Sequence, residues 1–108
     1  MSKKIVVLAA SWHEKVVDSG VKSFRKTMID AGFDVDQIDV IKVPGALEIP
    51  LAGKIAMENG YDAAVGIALV VYGGIYRHEF VAHTALQSML DIAAANNKPL
   101  ISVVILPQ

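Results

Sequence analysis

The chain has 108 residues, 54% of them apolar, and carries ten basic and eleven acidic side chains for a net charge of −1. Because it has no run of basic residues, the composition argues against nucleic acid or an anionic membrane surface as a partner. It has no cysteine, which excludes disulfides, thiol catalysis and thiolate metal sites. The length predicts a single domain over residues 1–108.

Neither a targeting segment nor a membrane span is evident. The start, Met1-Ser2-Lys3-Lys4, leads directly into an apolar run, without a signal peptide or an amphipathic transit segment. The longest apolar run, residues 63–75, is too short and too rich in glycine to span a bilayer. We therefore expect a cytoplasmic protein.

Strand-like and helical patterns alternate along the chain. Apolar, β-rich runs cover residues 5–9, 35–43, 63–71 and 100–106. Apolar residues recur at helical spacing between them: Val17, Val21, Phe24, Met28 and Ala31, then Leu51, Ile55 and Ala56, then Val81, Ala85, Met89 and Ile92. Helix stops follow each set, at Gly32, Asn59-Gly60 and Asn96-Asn97. This order predicts an α/β domain with one parallel sheet and helices on both faces.

Three junctions between a strand and a helix carry the unusual residues. Residues 10–14 include the only tryptophan, residues 43–50 read Val-Pro-Gly-Ala-Leu-Glu-Ile-Pro, and residues 72–81 read Tyr-Gly-Gly-Ile-Tyr-Arg-His-Glu-Phe-Val. In a parallel sheet all three lie at the carboxyl ends of the strands, where such folds bind ligands. We therefore expect a composite site, although the stretch 43–50 alone is equally compatible with an ordinary connection.

These stretches resemble the lumazine synthase family, over residues 4–106 and without large gaps. Val-Pro-Gly-Ala-x-Glu-Ile-Pro is characteristic of the family. The stretch 73–81 is similar to its second type, known from rhizobia and brucellae, and Trp12-His13 fits the same type. Together with the alternation, the resemblance implies a three-layer, flavodoxin-like sheet of strand order 2-1-3-4. It also implies that the family's closing C-terminal helices are missing after Gln108.

The resemblance implies a transferase of riboflavin biosynthesis. The family condenses 5-amino-6-(ribitylamino)uracil with 3,4-dihydroxy-2-butanone 4-phosphate to 6,7-dimethyl-8-ribityllumazine, without a metal or redox cofactor. Trp12 would stack on the pyrimidine ring, unless it is a core residue. The ribityl chain would contact Ala46, Leu47 and Glu48, although an acid at Glu48 also suits a helix N-terminus. Leu69, Val70 and Val71 would flank the uracil, where core packing alone would also place apolar residues.

Gly73 and Gly74 would admit the phosphate of the second substrate near a helix N-terminus, although a lone Gly-Gly is also a common turn. For proton transfer two residues remain open. Arg77 is the positional equivalent of the family's catalytic histidine, but it stays charged and is a poor base. His78 has the suitable pKa range. His13 and His83 are expected to have surface or structural roles.

Ser102 occupies the position at which many members place a phenylalanine that completes the neighbouring subunit's site, and serine there suits the second type. The resemblance implies a homo-oligomer, pentamer-based, and the excess of apolar residues also favours burial between subunits. Three hypotheses remain open: the synthase, a noncatalytic flavin or lumazine binder, and a self-assembling scaffold fragment with no working site.

Overall fold

A computed structural model describes residues 3–69, 78–96 and 98–105. Its sheet has four parallel strands, β1 (Ile5–Ala10), β2 (Ile38–Val43), β3 (Ala63–Leu69) and β4 (Leu100–Ile105). They lie in the order β2-β1-β3-β4, which confirms the predicted topology. Of the predicted strand ends, Val70, Val71 and Leu106 lie outside the described residues.

Helices cover both faces of the sheet. They are α1 (Glu14–Asp30), α2 (Ile49–Glu58) and α3 (His78–Asn96). Because side chains alternate along a strand, β1 contributes Val7 and Ala9 to a core beneath α1, and Val6 and Leu8 to a second core beneath α2 and α3. All six residues of β1 are buried, which explains why this strand is a continuous apolar run.

The stretch 35–43 is not β-structure throughout. Val35–Gln37 form a 3-10 turn, and β2 begins only at Ile38. The Gln37 side chain stabilises this turn, because its Oε1 accepts the Asp34 N–H at 2.8 Å and its Nε2 donates to the Lys3 carbonyl at 2.9 Å. A side chain bonded in this way competes with the strand for the local backbone.

The predicted ends of α1 and α2 are confirmed, but the stripe on α1 is one residue too long. Ala31 lies beyond the helix as an exposed C-cap, and Gly32 then takes a φ of 110°. Only glycine adopts that left-handed region at little cost. The second helix likewise ends at Glu58, directly before Asn59-Gly60.

Of the three apolar residues that mark α2 in the sequence, only Ala56 faces the core. Leu51 and Ile55 are 63% and 52% exposed, whereas the helix buries Ile49, Pro50, Gly53, Ala56 and Met57. The physical reason is that Ile49 packs closely against the sheet. A β-carbon added to Gly66 would lie 2.6 Å from Ile49 Cγ2 and 3.0 Å from Met89 Cε, so only glycine at this place in β3 admits both side chains. With Ile49 facing the sheet, the residues two and six positions later face away.

No helix in residues 3–69, 78–96 and 98–105 combines the length and hydrophobicity that crossing a bilayer requires.

Candidate active site at the carboxyl edge of the sheet

Two of the three predicted junctions are hydrogen-bonded to each other. Ala10 and Val43 are partners in register at the ends of β1 and β2. Directly beyond them, the Ser11 N–H donates to the Val43 carbonyl at 2.8 Å, and the Ser11 Oγ donates to the same oxygen at 3.0 Å. The loop that carries Trp12 is therefore tied to the start of the stretch 43–50.

Trp12 is 63% exposed, so the alternative of a core tryptophan is excluded and the ring lies at the rim of the sheet. The next residue, His13, has a left-handed backbone with φ 55° and ψ 50°, a region that few residues other than glycine adopt, although asparagine, aspartate and histidine are enriched there. Its carbonyl accepts the N–H groups of Val16 and Val17 at 3.0 and 3.1 Å, so this bend starts α1. Both His13 and His83 are exposed, which agrees with the first of the two kinds of role expected of them, surface or structural.

The stretch 43–50 forms a 3-10 turn at Ala46–Glu48 that leads directly into α2, with Pro50 in the first turn of the helix as predicted. Ala46 is buried in the core, so it can offer a ligand only its backbone. Leu47 is 48% exposed and Glu48 is also exposed. Of the three residues expected to contact the ribityl chain, two therefore present their side chains outward.

Glu48 lies against Gly45. Its Oε2 is 3.2 Å from the position that a β-carbon on Gly45 would occupy. The backbone of Gly45 is extended, with φ −162°, so a side chain there would not strain the backbone but would move the Glu48 carboxylate by a few tenths of an ångström. Glu48 is at the N-cap position of α2, where the helix dipole favours an acid, but its carboxylate makes no capping hydrogen bond. Its oxygens remain available as acceptors.

The two elements that flank the third junction in the chain, β3 and α3, both lie against the second junction. The turn Ala46–Glu48 contacts both β3 and α3. Leu69, the last residue of β3, is half-buried. Five of the predicted site residues lie outside the described residues: Val70, Val71, Gly73, Gly74 and Arg77. His78 is described only as the first residue of α3. The assignment of proton transfer to Arg77 or His78 therefore stays a prediction.

Ser102 is not at this edge of the sheet. It is half-buried in β4 beside Gly66, three residues before the strand ends at Ile105. At about 3.3 Å per residue, that is about 10 Å short of the edge. Its predicted role concerns the site of a neighbouring subunit, so this position does not contradict it.

The sequence analysis did not identify Lys42 as part of this region. Its Nζ donates a hydrogen bond to Asp18 and lies 3.5 Å from Glu14 Oε1, joining β2 to the first two turns of α1. The bond to Asp18 is the main reason that the pKa of Lys42 is raised. All three side chains are exposed enough that the energy of the pairs is small. The signal was present, because Glu14 and Asp18 are spaced by one helical turn.

Among the residues that the structure describes, no three His, Cys, Asp or Glu side chains are grouped as ligands of a metal ion would be.

The fold and the edge loops define a flavodoxin-like α/β protein with a candidate small-molecule site at the carboxyl ends of its strands. The family described as 6,7-dimethyl-8-ribityllumazine synthase matches residues 2–108, and the chain belongs to that family.

Curated relatives agree with this assignment. The chain is 39% identical over 107 residues to 6,7-dimethyl-8-ribityllumazine synthase 2 of Pseudomonas syringae pv. tomato, covering 98% of this chain and 63% of the relative. It is 38% identical to 6,7-dimethyl-8-ribityllumazine synthase of Rhodococcus erythropolis, covering 97% of this chain and 68% of the relative. It is also 38% identical to 6,7-dimethyl-8-ribityllumazine synthase 2 of Bradyrhizobium diazoefficiens, covering 98% of this chain and 64% of the relative. The chain thus spans about two thirds of the length of these relatives, and two of the three names agree with the second type.

Proposed function

We propose that this chain is a transferase of riboflavin biosynthesis in the cytoplasm, which condenses 5-amino-6-(ribitylamino)uracil with 3,4-dihydroxy-2-butanone 4-phosphate to 6,7-dimethyl-8-ribityllumazine. The observation that supports it most is the hydrogen-bonded pairing of the Trp12 loop with the stretch 43–50. An exposed aromatic ring and an exposed carboxylate on adjacent loops suit a ligand with a flat heterocycle and a polyol chain.

In this proposal the aminouracil binds first to the edge loops. Trp12 supplies a π-face for the pyrimidine ring, in an offset stack. Glu48 accepts hydrogen bonds from the ribityl hydroxyls, since an ionised carboxylate is an acceptor only. Leu47 and the backbone at Ala46 contact the carbon chain, while the backbone at Leu69, Val70 and Val71 contacts the uracil.

The second substrate binds near the start of α3. Helix N-termini favour anions, and this one follows Gly73 and Gly74, so the phosphate group is assigned there. The 5-amino group of the aminouracil attacks the ketone to form an imine with loss of water, and phosphate is then eliminated to leave an enol that tautomerises to a second ketone. The ribityl-bearing nitrogen attacks that ketone and closes the ring with loss of a second water. Arg77 stabilises the leaving phosphate and His78 transfers protons. Holding two reactants in the correct orientation can contribute about 7–11 kcal/mol, so catalysis does not require strong acid–base residues.

We also propose that the chain acts as a homo-oligomer, pentamer-based, in which Ser102 of one subunit borders the site of its neighbour. The support is a set of large apolar side chains that one chain leaves exposed. They lie on α2, α3 and β4: Leu51, Ile55, Leu90, Ile101 and Val103. Exposed apolar surface costs roughly 25 cal/mol per Å², so its burial between subunits is favourable.

The test is a turnover assay with both substrates, followed by the absorbance of the lumazine product, together with calorimetric titration of the aminouracil and of a flavin. We expect product formation without added metal or redox cofactor. Tight binding of flavin or aminouracil without turnover would replace this proposal with the noncatalytic binder. A defined oligomer that binds neither ligand would replace it with the scaffold.

A further inference from the structure

We propose that Ser11 is a positioning residue, whose hydroxyl fixes the Trp12 loop against the stretch 43–50 so that both contact one ligand. The proposal rests on the proposed function only in the identity of that ligand. The hydroxyl is the part of Ser11 that matters, since the backbone N–H makes its own bond to the same carbonyl.

The two hydrogen bonds from Ser11 have different effects. The bond from the N–H, at 2.8 Å, continues the β1–β2 ladder by one residue and does not depend on the side chain. The bond from Oγ, at 3.0 Å, adds a second donor to the Val43 oxygen, which has two lone pairs. Removing the hydroxyl therefore leaves no buried group unpaired, and the fold should tolerate it. What it removes is one of two restraints on the loop.

Trp12 depends on such restraints because its own side chain is not anchored in the core. With 63% of its surface exposed, the direction of the ring follows from the backbone on either side. On the C-terminal side that backbone is set by the left-handed His13, whose carbonyl receives the first N–H groups of α1. On the N-terminal side it is set by Ser11.

The Val43 carbonyl, which accepts both bonds from Ser11, is also held in place, so it can restrain the residues that follow it. Val43 is buried, and the residue after it is Pro44, which confines Val43 to extended conformations. A fixed Val43 carbonyl therefore determines where the chain enters Gly45 and the turn Ala46–Glu48. The Ser11 hydroxyl thus helps to fix the position of the Trp12 ring relative to the Glu48 carboxylate.

The test compares the wild type with Ser11→Ala and Ser11→Thr, where threonine retains the hydroxyl. Ser23→Ala is the matched control, because Ser23 is exposed on α1, away from the edge loops. Trp12 is the only tryptophan, so its fluorescence anisotropy and acrylamide quenching report on this loop without any ligand. Thermal unfolding followed by circular dichroism measures stability separately.

For Ser11→Ala we expect lower anisotropy and stronger quenching, together with a three- to tenfold weaker affinity for the aminouracil, about the value of one hydrogen bond. The KM for the butanone phosphate should change less. Ser11→Thr should restore both readouts, and Ser23→Ala should match the wild type.

Unchanged fluorescence and affinity in Ser11→Ala would overturn the proposal, as would a lowered melting temperature with unchanged fluorescence, which indicates a merely structural role. If the wild type binds no aminouracil, the proposed function fails, while the fluorescence comparison still confirms or refutes the restraint on Trp12.

Discussion

Ile49 occupies the space that a side chain on Gly66 would need, with its Cγ2 2.6 Å from the position of the missing β-carbon. Ile49 is the first residue of α2 and is fully buried, so this contact sets the distance of the helix from the sheet. The turn Ala46–Glu48 directly precedes Ile49. The position of the candidate ribityl-binding residues therefore depends on a glycine in the middle of β3.

We expect Gly66→Ala to destabilise the protein by about 1–3 kcal/mol, the usual cost of overpacking a core. Urea unfolding followed by circular dichroism measures it. Because the same methyl group of Ile49 causes the clash, Gly66→Ala combined with Ile49→Ala should cost less than the sum of the two single variants. Strict additivity would show that the two residues do not compete for this space.

Trp12→Ala should weaken the binding of aminouracil or flavin by about 1–3 kcal/mol, the scale of stacking between a base and an aromatic side chain. The free energy of unfolding should change by less than about 0.5 kcal/mol, since the residue is exposed. Calorimetry measures the first and circular dichroism the second. Trp12→Phe, which keeps a smaller ring, should retain part of the affinity. A large loss of stability with unchanged affinity would contradict the stacking role.

Gly45→Ala should displace the Glu48 carboxylate, since its Oε2 is 3.2 Å from the new β-carbon, without straining the extended backbone. We expect affinity for a ribityl-bearing ligand to fall by about 0.5–1 kcal/mol, less than the value of a whole hydrogen bond to a charged group, because the carboxylate is displaced and not removed. Binding of the same pyrimidine without the ribityl chain should be unchanged. Glu48→Gln, which keeps the shape and removes the charge, should show the same selectivity. If both ligands lose affinity equally, Glu48 does not contact the ribityl chain.

The parallel sheet, and the position of the Trp12 loop beside the stretch 43–50 at one edge, could be predicted from the sequence because they follow from local pattern and chain connectivity. The strand order also needed the resemblance to the lumazine synthase family. Which face of α2 is buried could not be predicted from the sequence. Its apolar residues lie all around the helix, and the choice among them depends on Ile49 meeting Gly66, a contact between distant parts of the chain. Ser11 gave no signal for a similar reason. Its partner is a backbone carbonyl 32 residues away, which carries no side-chain identity.

Arg77→Ala should impair the binding or turnover of the butanone phosphate more than the binding of the aminouracil, because a fixed cation matters most to the leaving phosphate. Steady-state kinetics with each substrate varied in turn, and calorimetry with the aminouracil alone, separate the two effects. Arg77→Lys keeps the charge without the planar fork, so its loss for the butanone phosphate should be smaller than that of Arg77→Ala. An equal loss for both substrates would indicate that Arg77 has a structural role. His78→Gln is the companion variant, and a loss of the pH dependence of turnover there would assign the proton transfer to His78.

Activity should depend on assembly if Ser102 borders the neighbouring subunit's site. Ile101 and Val103, the residues on either side of Ser102 in β4, are 54% and 39% exposed in the single chain. A charge at the more exposed of them would have to be desolvated in a packed interface, which is costly unless it is paired. We expect Ile101→Lys to abolish both the oligomer and ligand binding, with light scattering and calorimetry as the two measurements. Val35→Lys, at an exposed residue in the 3-10 turn before β2, is the matched control and should leave both unchanged. A well-folded monomer of Ile101→Lys that retains full binding would show that each site is complete within one chain.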